Sequence, residues 1–218
     1  DRGTYLRVVG WTGPVISEMR SSSGVASGRL VPADVLIVEP GPPPPIDADW
    51  QIAYKTGIVE HGNRNELIVA LARRLRRSGA TLVLCERLEH GQRLAHDLGV
   101  GWLHGAVTGQ DRAEGWDALR RGLTDCLVAS TIADEGLDIP SIRHLILAGG
   151  GQAAHRQIQR IGRGMRSAAG KERLTVIDFA DTGKYLGRHY RKRRKTYNGE
   201  PAYTVADITF EEAKPWLT

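Results

Sequence analysis

Residues 159–166 read Gln-Arg-Ile-Gly-Arg-Gly-Met-Arg, a pattern that could do phosphate chemistry. Three arginines fall within seven residues, and positions three apart, such as Arg163 and Arg166, share one face of a helix. Guanidinium forks beside a glycine, which lets a ligand come close, suit the oxygens of terminal nucleotide phosphates. The solvated face of a basic helix would use the same residues. The stretch Val128–Pro140 is the second anchor. An apolar strand there runs into the hydroxyls of Ser130 and Thr131, and a turn with two acids and Gly136 leads on to Asp138. Hydroxyls and main-chain amides at a strand end can hold a phosphate. Asp138 suits a ribose hydroxyl, and Gly136 permits a tight turn. A capping turn stopped by Pro140 is the plainer reading of the same residues.

The elements that must position these groups alternate between short apolar runs and amphipathic ones. The apolar spacing predicts a helix over 65–77, with Leu67, Ile68, Leu71 and Leu75 on one face, and further helices over 88–98, 110–121, 152–165 and 183–195. Between them lie strands over 81–85, 101–103, 125–130, 143–148 and 173–179. Such alternation with short connections is the mark of an α/β domain built on an open, mostly parallel sheet with helices on both faces. Sheets of this kind place ligands outside the carboxyl ends of their strands. Gly149–Gly151 and the turn at 134–136 belong at that edge.

At 218 residues the chain can bury one full core and carry a tail. It has no apolar run long enough to cross a bilayer, so no membrane partner is expected, and a cytoplasmic setting is. Cys85 and Cys126 sit in strand-like runs and are expected to be buried thiols. The seven histidines form no ligand pair at helical spacing, so no metal site is expected. Net charge is +5, but Arg188, Arg191, Lys192, Arg193, Arg194 and Lys195 crowd into one segment. The remainder holds 24 basic side chains against 25 acidic ones. The basicity is therefore local and favours a polyanion, with a solvated final helix as the alternative. Tyr185, Tyr190 and Tyr197 are interleaved with it. Rings that stack on bases beside cations that track phosphates suit a single strand, and Arg191, Lys192 and Arg194 are the candidate contacts.

The order of these blocks resembles the second RecA-like lobe of a superfamily 2 helicase. Val128–Pro140 resembles the family's motif V, and Gln159–Arg166 its motif VI. Thr81–Glu86 is similar to motif IV, and Leu103-His104-Gly105 with Arg112 to the accessory block after it. Four blocks in order specify far more than any one. The resemblance spans about 57–180 and implies a RecA-like fold. It gives Arg163 and Arg166 the role of arginine fingers on ATP, because phosphoryl transfer needs positive charge where negative charge builds. Gln159 would join the polar network between the lobes, Gly136 and Asp138 would approach the nucleotide, and Ser130 and Thr131 would contact the nucleic-acid backbone. Glutamine at 159, where the DEAD-box branch has histidine, points towards DNA or RNA helicases and translocases that process along a strand, and the whole is similar to DNA helicases of the phage and repair type.

The resemblance also divides the chain. Residues 1–50 read as the end of a first lobe plus a Pro-rich linker, 51–181 as the helicase C-terminal lobe, and 182–218 as a basic extension. The chain opens on Asp1, as if inside a longer product, and shows no Walker A pattern or first-lobe Asp-Glu pair. Mg²⁺ and most of the grip on ATP would then come from the first RecA-like lobe, and this chain alone is expected to be inactive as an ATPase. The expected partners are that first lobe and DNA, single-stranded or duplex, with RNA second. A RecA-like module that binds nucleic acid or protein without catalysis is the competing reading. A Rossmann cofactor enzyme is disfavoured, because Gln152-Ala153-Ala154 follow Gly149–Gly151 and break the G-x-G-x-x-G spacing.

Overall fold

The computed structural model describes residues 21–42, 49–130, 139–151 and 154–217. Seven strands form one sheet: β1 (Ala33–Val38), β2 (Thr81–Leu84), β3 (Gly101–Leu103), β4 (Cys126–Ala129), β5 (His144–Leu147), β6 (Leu174–Phe179) and β7 (Tyr203–Ile208). Their order is β3-β4-β2-β5-β6-β1-β7, and every pairing is parallel. This is the open parallel α/β sheet that the alternation predicts, and the RecA-like architecture that the resemblance implies. The described helices are α1 (Ser21–Ala26), α2 (Trp50–Tyr54), which continues as a π-helix over Lys55–Val59, α3 (Gly62–Leu75), α4 (Leu88–Leu98), α5 (Gly109–Arg120), α6 (Ala154–Gly164), α7 (Leu186–Asn198) and α8 (Phe210–Ala213).

The strands alternate their side chains between two apolar layers. Leu82, Leu84, Leu127, Ala129, Leu145 and Leu147 face the layer that takes Trp116 and Leu119 from α5, Ile161 from α6 and Tyr197 from α7. Val83, Cys85, Val128, Ile146 and Phe179 face the layer that takes Leu67, Ile68 and Leu71 from α3 and Leu94 and Leu98 from α4. Strands buried on both faces read as unbroken apolar runs, which is why β2, β4 and β5 are visible in sequence.

The sheet is wider than the sequence-based boundaries. Ala33–Val38, within the segment read as first-lobe remnant and linker, lies between β6 and β7. Tyr203–Ile208, within the segment read as an extension, is the edge strand beside it. Local pattern could not bring them together, because their partner positions are some 170 residues apart in the chain. Helix α7 also runs to Asn198 rather than stopping at Lys195, because Tyr197 packs into the core with no exposed surface.

Candidate functional site

Because all strands run the same way, the chain leaves β2, β4, β5 and β6 on a single edge. Ser130 follows β4 there and is buried, with its amide donating to the Leu103 carbonyl at 2.9 Å. Thr131, Gly136 and Asp138 lie outside the described residues. Gly149–Gly151 follow β5. Gly150 has φ +61°, in the region that favours glycine, and a Cβ on Gly151 would come within 2.2 Å of the Glu86 carboxylate. The glycines thus let Glu86 lie over the turn that opens α6.

Three buried polar side chains hold that turn. Tyr54 donates its hydroxyl to the Gly149 carbonyl at 2.5 Å. Arg64 donates Nη1 to the Ala148 carbonyl at 2.8 Å and Nε to Asp181 at 2.9 Å, and its guanidinium lies 4.5 Å from the Phe179 ring centre. Arg193 donates Nη1 to the carbonyls of Gly150 and Gly151 at 3.0 and 3.1 Å, Nη2 to that of Phe179 at 3.1 Å, and a bidentate fork to Asp178. Tyr197 donates to the same Asp178 at 2.8 Å. Two arginines and two aspartates are thus buried with balanced charge, the arrangement in which buried charges persist, with Arg64 Nη2 left without a hydrogen-bond partner. The Cys85 thiol beside this turn is pushed up to about 12 by burial and then by Glu86, so it is a protonated core group.

Arg163 and Arg166, at and beyond the end of α6, are not at this edge. Helix α6 leaves β5 at its carboxyl end and runs back against the strands. Its last turn meets the segments that open β1 and β6. The Val31 amide donates to the Met165 carbonyl at 2.7 Å, and Leu30 bridges Arg166. The expected face shared by Arg163 and Arg166 is corrected by this geometry: α6 ends at Gly164, and Arg166 lies in the bridge beyond it. The three arginines divide. Arg160 is 4% exposed, Arg163 is half-buried and Arg166 is exposed, as is Gln159. Gly149–Gly151 lie at the carboxyl edge as expected, and the turn at 134–136 lies outside the described residues. Ser130 and the glycine turn are at one edge, and Arg163 and Arg166 are at the other. A strand of four to six residues lies between them, roughly 13–20 Å at about 3.3 Å per residue. Ser130 ends the described chain at the first edge, and it resumes with Ile139-Pro140 at the second.

Lys171 marks the second edge. It is 7% exposed and donates Nζ to the carbonyls of Pro140 at 2.9 Å, Gly164 at 2.5 Å and Arg166 at 3.2 Å. Burial, reinforced by Arg143, lowers its ammonium to about 8.

Residues 63–168 match the helicase conserved C-terminal domain. Over those residues this chain carries a helicase C-terminal domain. The lobe is 34% identical over 115 residues to a protein described as the DNA 3'-5' helicase Rad25 of Halobacterium salinarum, covering 52% of this chain and 19% of that one. It is 30% identical over 125 residues to helicase 22 of Sulfolobus islandicus filamentous virus, covering 55% and 22%. The chain thus spans about a fifth of the length of these curated relatives. In fold it is similar to a fragment of an HsdR subunit of a type I restriction enzyme from Vibrio vulnificus, with a TM-score of 0.67 at 18% identity, over 98% of this chain and 43% of that one.

The basic segment of the helicase lobe is α7, and its charges do not form one patch. Arg188, Arg191, Lys192 and Lys195 are exposed and sit at i, i+3, i+4 and i+7, a single stripe. Arg193 faces the opposite way and has no exposed surface. Arg194 is turned aside, with Nη2 donating to Asp207 on β7 at 2.6 Å and Nη1 to the Tyr190 hydroxyl at 2.9 Å. Tyr197 cannot stack on a base, because it lies in the core. Tyr185 joins Trp50, Tyr54 and His189 in an edge-to-face cluster around the Trp50 ring. Sequence reasoning missed Arg64, Asp178, Asp181 and Arg193 as a group, and Lys171 at the other edge. The one local signal was the phase of α7, in which Leu186, His189, Arg193 and Tyr197 repeat on one face. Among the described residues no three His, Cys, Asp or Glu side chains converge as a metal site. Among the described residues no helix is long and apolar enough to cross a membrane.

Proposed function

We propose that this chain is the second motor lobe of an ATP-dependent helicase or translocase, in which the amino edge of the sheet faces the nucleotide and the carboxyl edge faces the strand. The observation that carries the reading is the placement of Arg163 and Arg166. Both are accessible, and both stand in the same corner as Pro140, where the motif V block ends. Two guanidinium groups there suit the phosphates of ATP, which supplies the anhydride that breaks. Arg166 places charge against the terminal phosphate as its oxygens gain negative charge, and Arg163 stands beside it. Gly136, Asp138 and Gln159 are assigned to the same nucleotide. Ser130 and Thr131, at the opposite edge, are assigned to the nucleic-acid backbone, with the α7 stripe as a further contact. Mg²⁺ and the remaining phosphate contacts are assigned to a first RecA-like lobe. The strand is DNA in the first instance, in keeping with the resemblance to repair-type helicases.

The test is Arg166→Ala in the full-length protein. Strand-stimulated ATPase is expected to fall at least about a thousandfold, while affinity for single-stranded DNA changes by less than about threefold, because the two edges are a strand length apart. Native turnover in this variant would sink the motor reading and leave the RecA-like binding module in its place.

A further inference from the structure

We propose that Lys171 is a positioning residue for ATP hydrolysis, fastening the arginine turn to the end of the motif V block. The inference rests on the motor reading above. The ammonium has three donors, and they meet three main-chain carbonyls from three places in the chain. Gly164 is the last residue of α6, Arg166 carries the proposed finger, and Pro140 closes the segment that holds Gly136 and Asp138. The helix carbonyl terminus carries partial negative charge, so a buried cation there is held by the dipole as well as by its hydrogen bonds. A compact point charge suits three converging carbonyls, whereas the planar fork of arginine does not.

The chain leaves α6 at Gly164, and Arg166 follows two residues later, in an isolated bridge to Leu30 rather than in a helix. Between them, the Met165 carbonyl accepts from the Val31 amide. Lys171 is the contact that joins both the helix end and the Arg166 backbone to Pro140. Removing it frees the arginine turn to move relative to Pro140, and a displacement of about 1 Å at a catalytic group can cost about a hundredfold in rate. Nothing at the carboxyl edge is touched, so strand binding stays as it was.

The experiment measures kcat, KM for ATP, single-stranded DNA affinity and thermal midpoint for Lys171→Met and Lys171→Gln in the full-length protein. The glutamine variant, which keeps two donors, serves if the methionine variant does not fold. The expected result is a fall in kcat of about ten- to a hundredfold at a temperature well below the midpoint, with DNA affinity unchanged. A native kcat in either folded variant overturns the proposal, even if the midpoint drops, because that is the signature of a purely structural lysine. Arg166→Ala, run alongside, keeps the two ideas apart. If it turns over normally, the motor reading fails and Lys171 has nothing to position. If it is inactive while the Lys171 variants are native, only the positioning role is lost.

Discussion

Arg193 and Arg191 are two positions apart in a run of cations, yet they have opposite fates. Arg193 meets Asp178, Asp181 and three carbonyls with no exposed surface, while Arg191 is exposed. Burying a guanidinium is tolerable only when every donor finds an acceptor and the charge is matched. Deleting one partner from such a set strands the others. Arg193→Met is therefore expected to cost about 3–5 kcal/mol, since it leaves Asp178 buried without its cation and Asp181 with Arg64 alone. Arg191→Met should stay within about 0.5 kcal/mol, as an exposed substitution. Urea denaturation of both variants checks this, and equal midpoints would refute the assignment of Arg193 to the interior. The same network fixes Gly150 and Gly151, from which α6 departs, so Arg193 and Lys171 hold the two ends of one helix.

Helix α7 shows at the scale of an element why a charge run misleads. Its inner face, Leu186, His189, Arg193 and Tyr197, packs on the sheet and the Trp50 cluster. Its outer face presents Arg188, Arg191, Lys192 and Lys195 as one stripe. Arg194 lies between, committed to Asp207 on β7. Only the outer stripe is available to a polyanion. Replacing Arg191 and Lys192 with alanine should weaken single-stranded DNA binding and reduce the magnitude of the slope of log K against log salt by about 0.7 for each phosphate no longer neutralised. A titration across salt concentrations reads this directly, and an unaltered slope would mark the stripe as bystander surface.

Four of the described histidines, His61, His90, His144 and His189, are buried. His90 is lowered to about 3 and His144 to about 4, each chiefly by burial and then by neighbouring cations. His61 and His189 are lowered in the same way. A folded-state value below the unfolded value near 6.5 means that the unfolded chain takes up protons first. The stability held by these neutral rings is therefore complete above about pH 6.5, and it drains away as pH falls towards 4 and then 3. Denaturant midpoints at pH 7.5, 6 and 5 should decline in that order. His144→Gln should flatten the decline, and a midpoint that rises on acidification would contradict the neutral, buried assignment.

The sequence by itself determined the β/α alternation, the parallel sheet and the lobe's family. Each of these is written in local apolar periodicity or in blocks whose order survives without coordinates. Helix 88–98 and strand 101–103 are legible to the residue, because apolar spacing and a terminal glycine sit next to each other in the chain. Tertiary structure alone decided that residues 33–38 and 203–208 belong to the same sheet, and that one cation in a basic run is interior. It also decided that Arg163 and Arg166 stand at the edge opposite the glycine turn. Those facts depend on which distant carbonyls and carboxylates meet a given side chain. No local pattern carries that information, because burial of a charge is set by its partners and not by its neighbours in sequence.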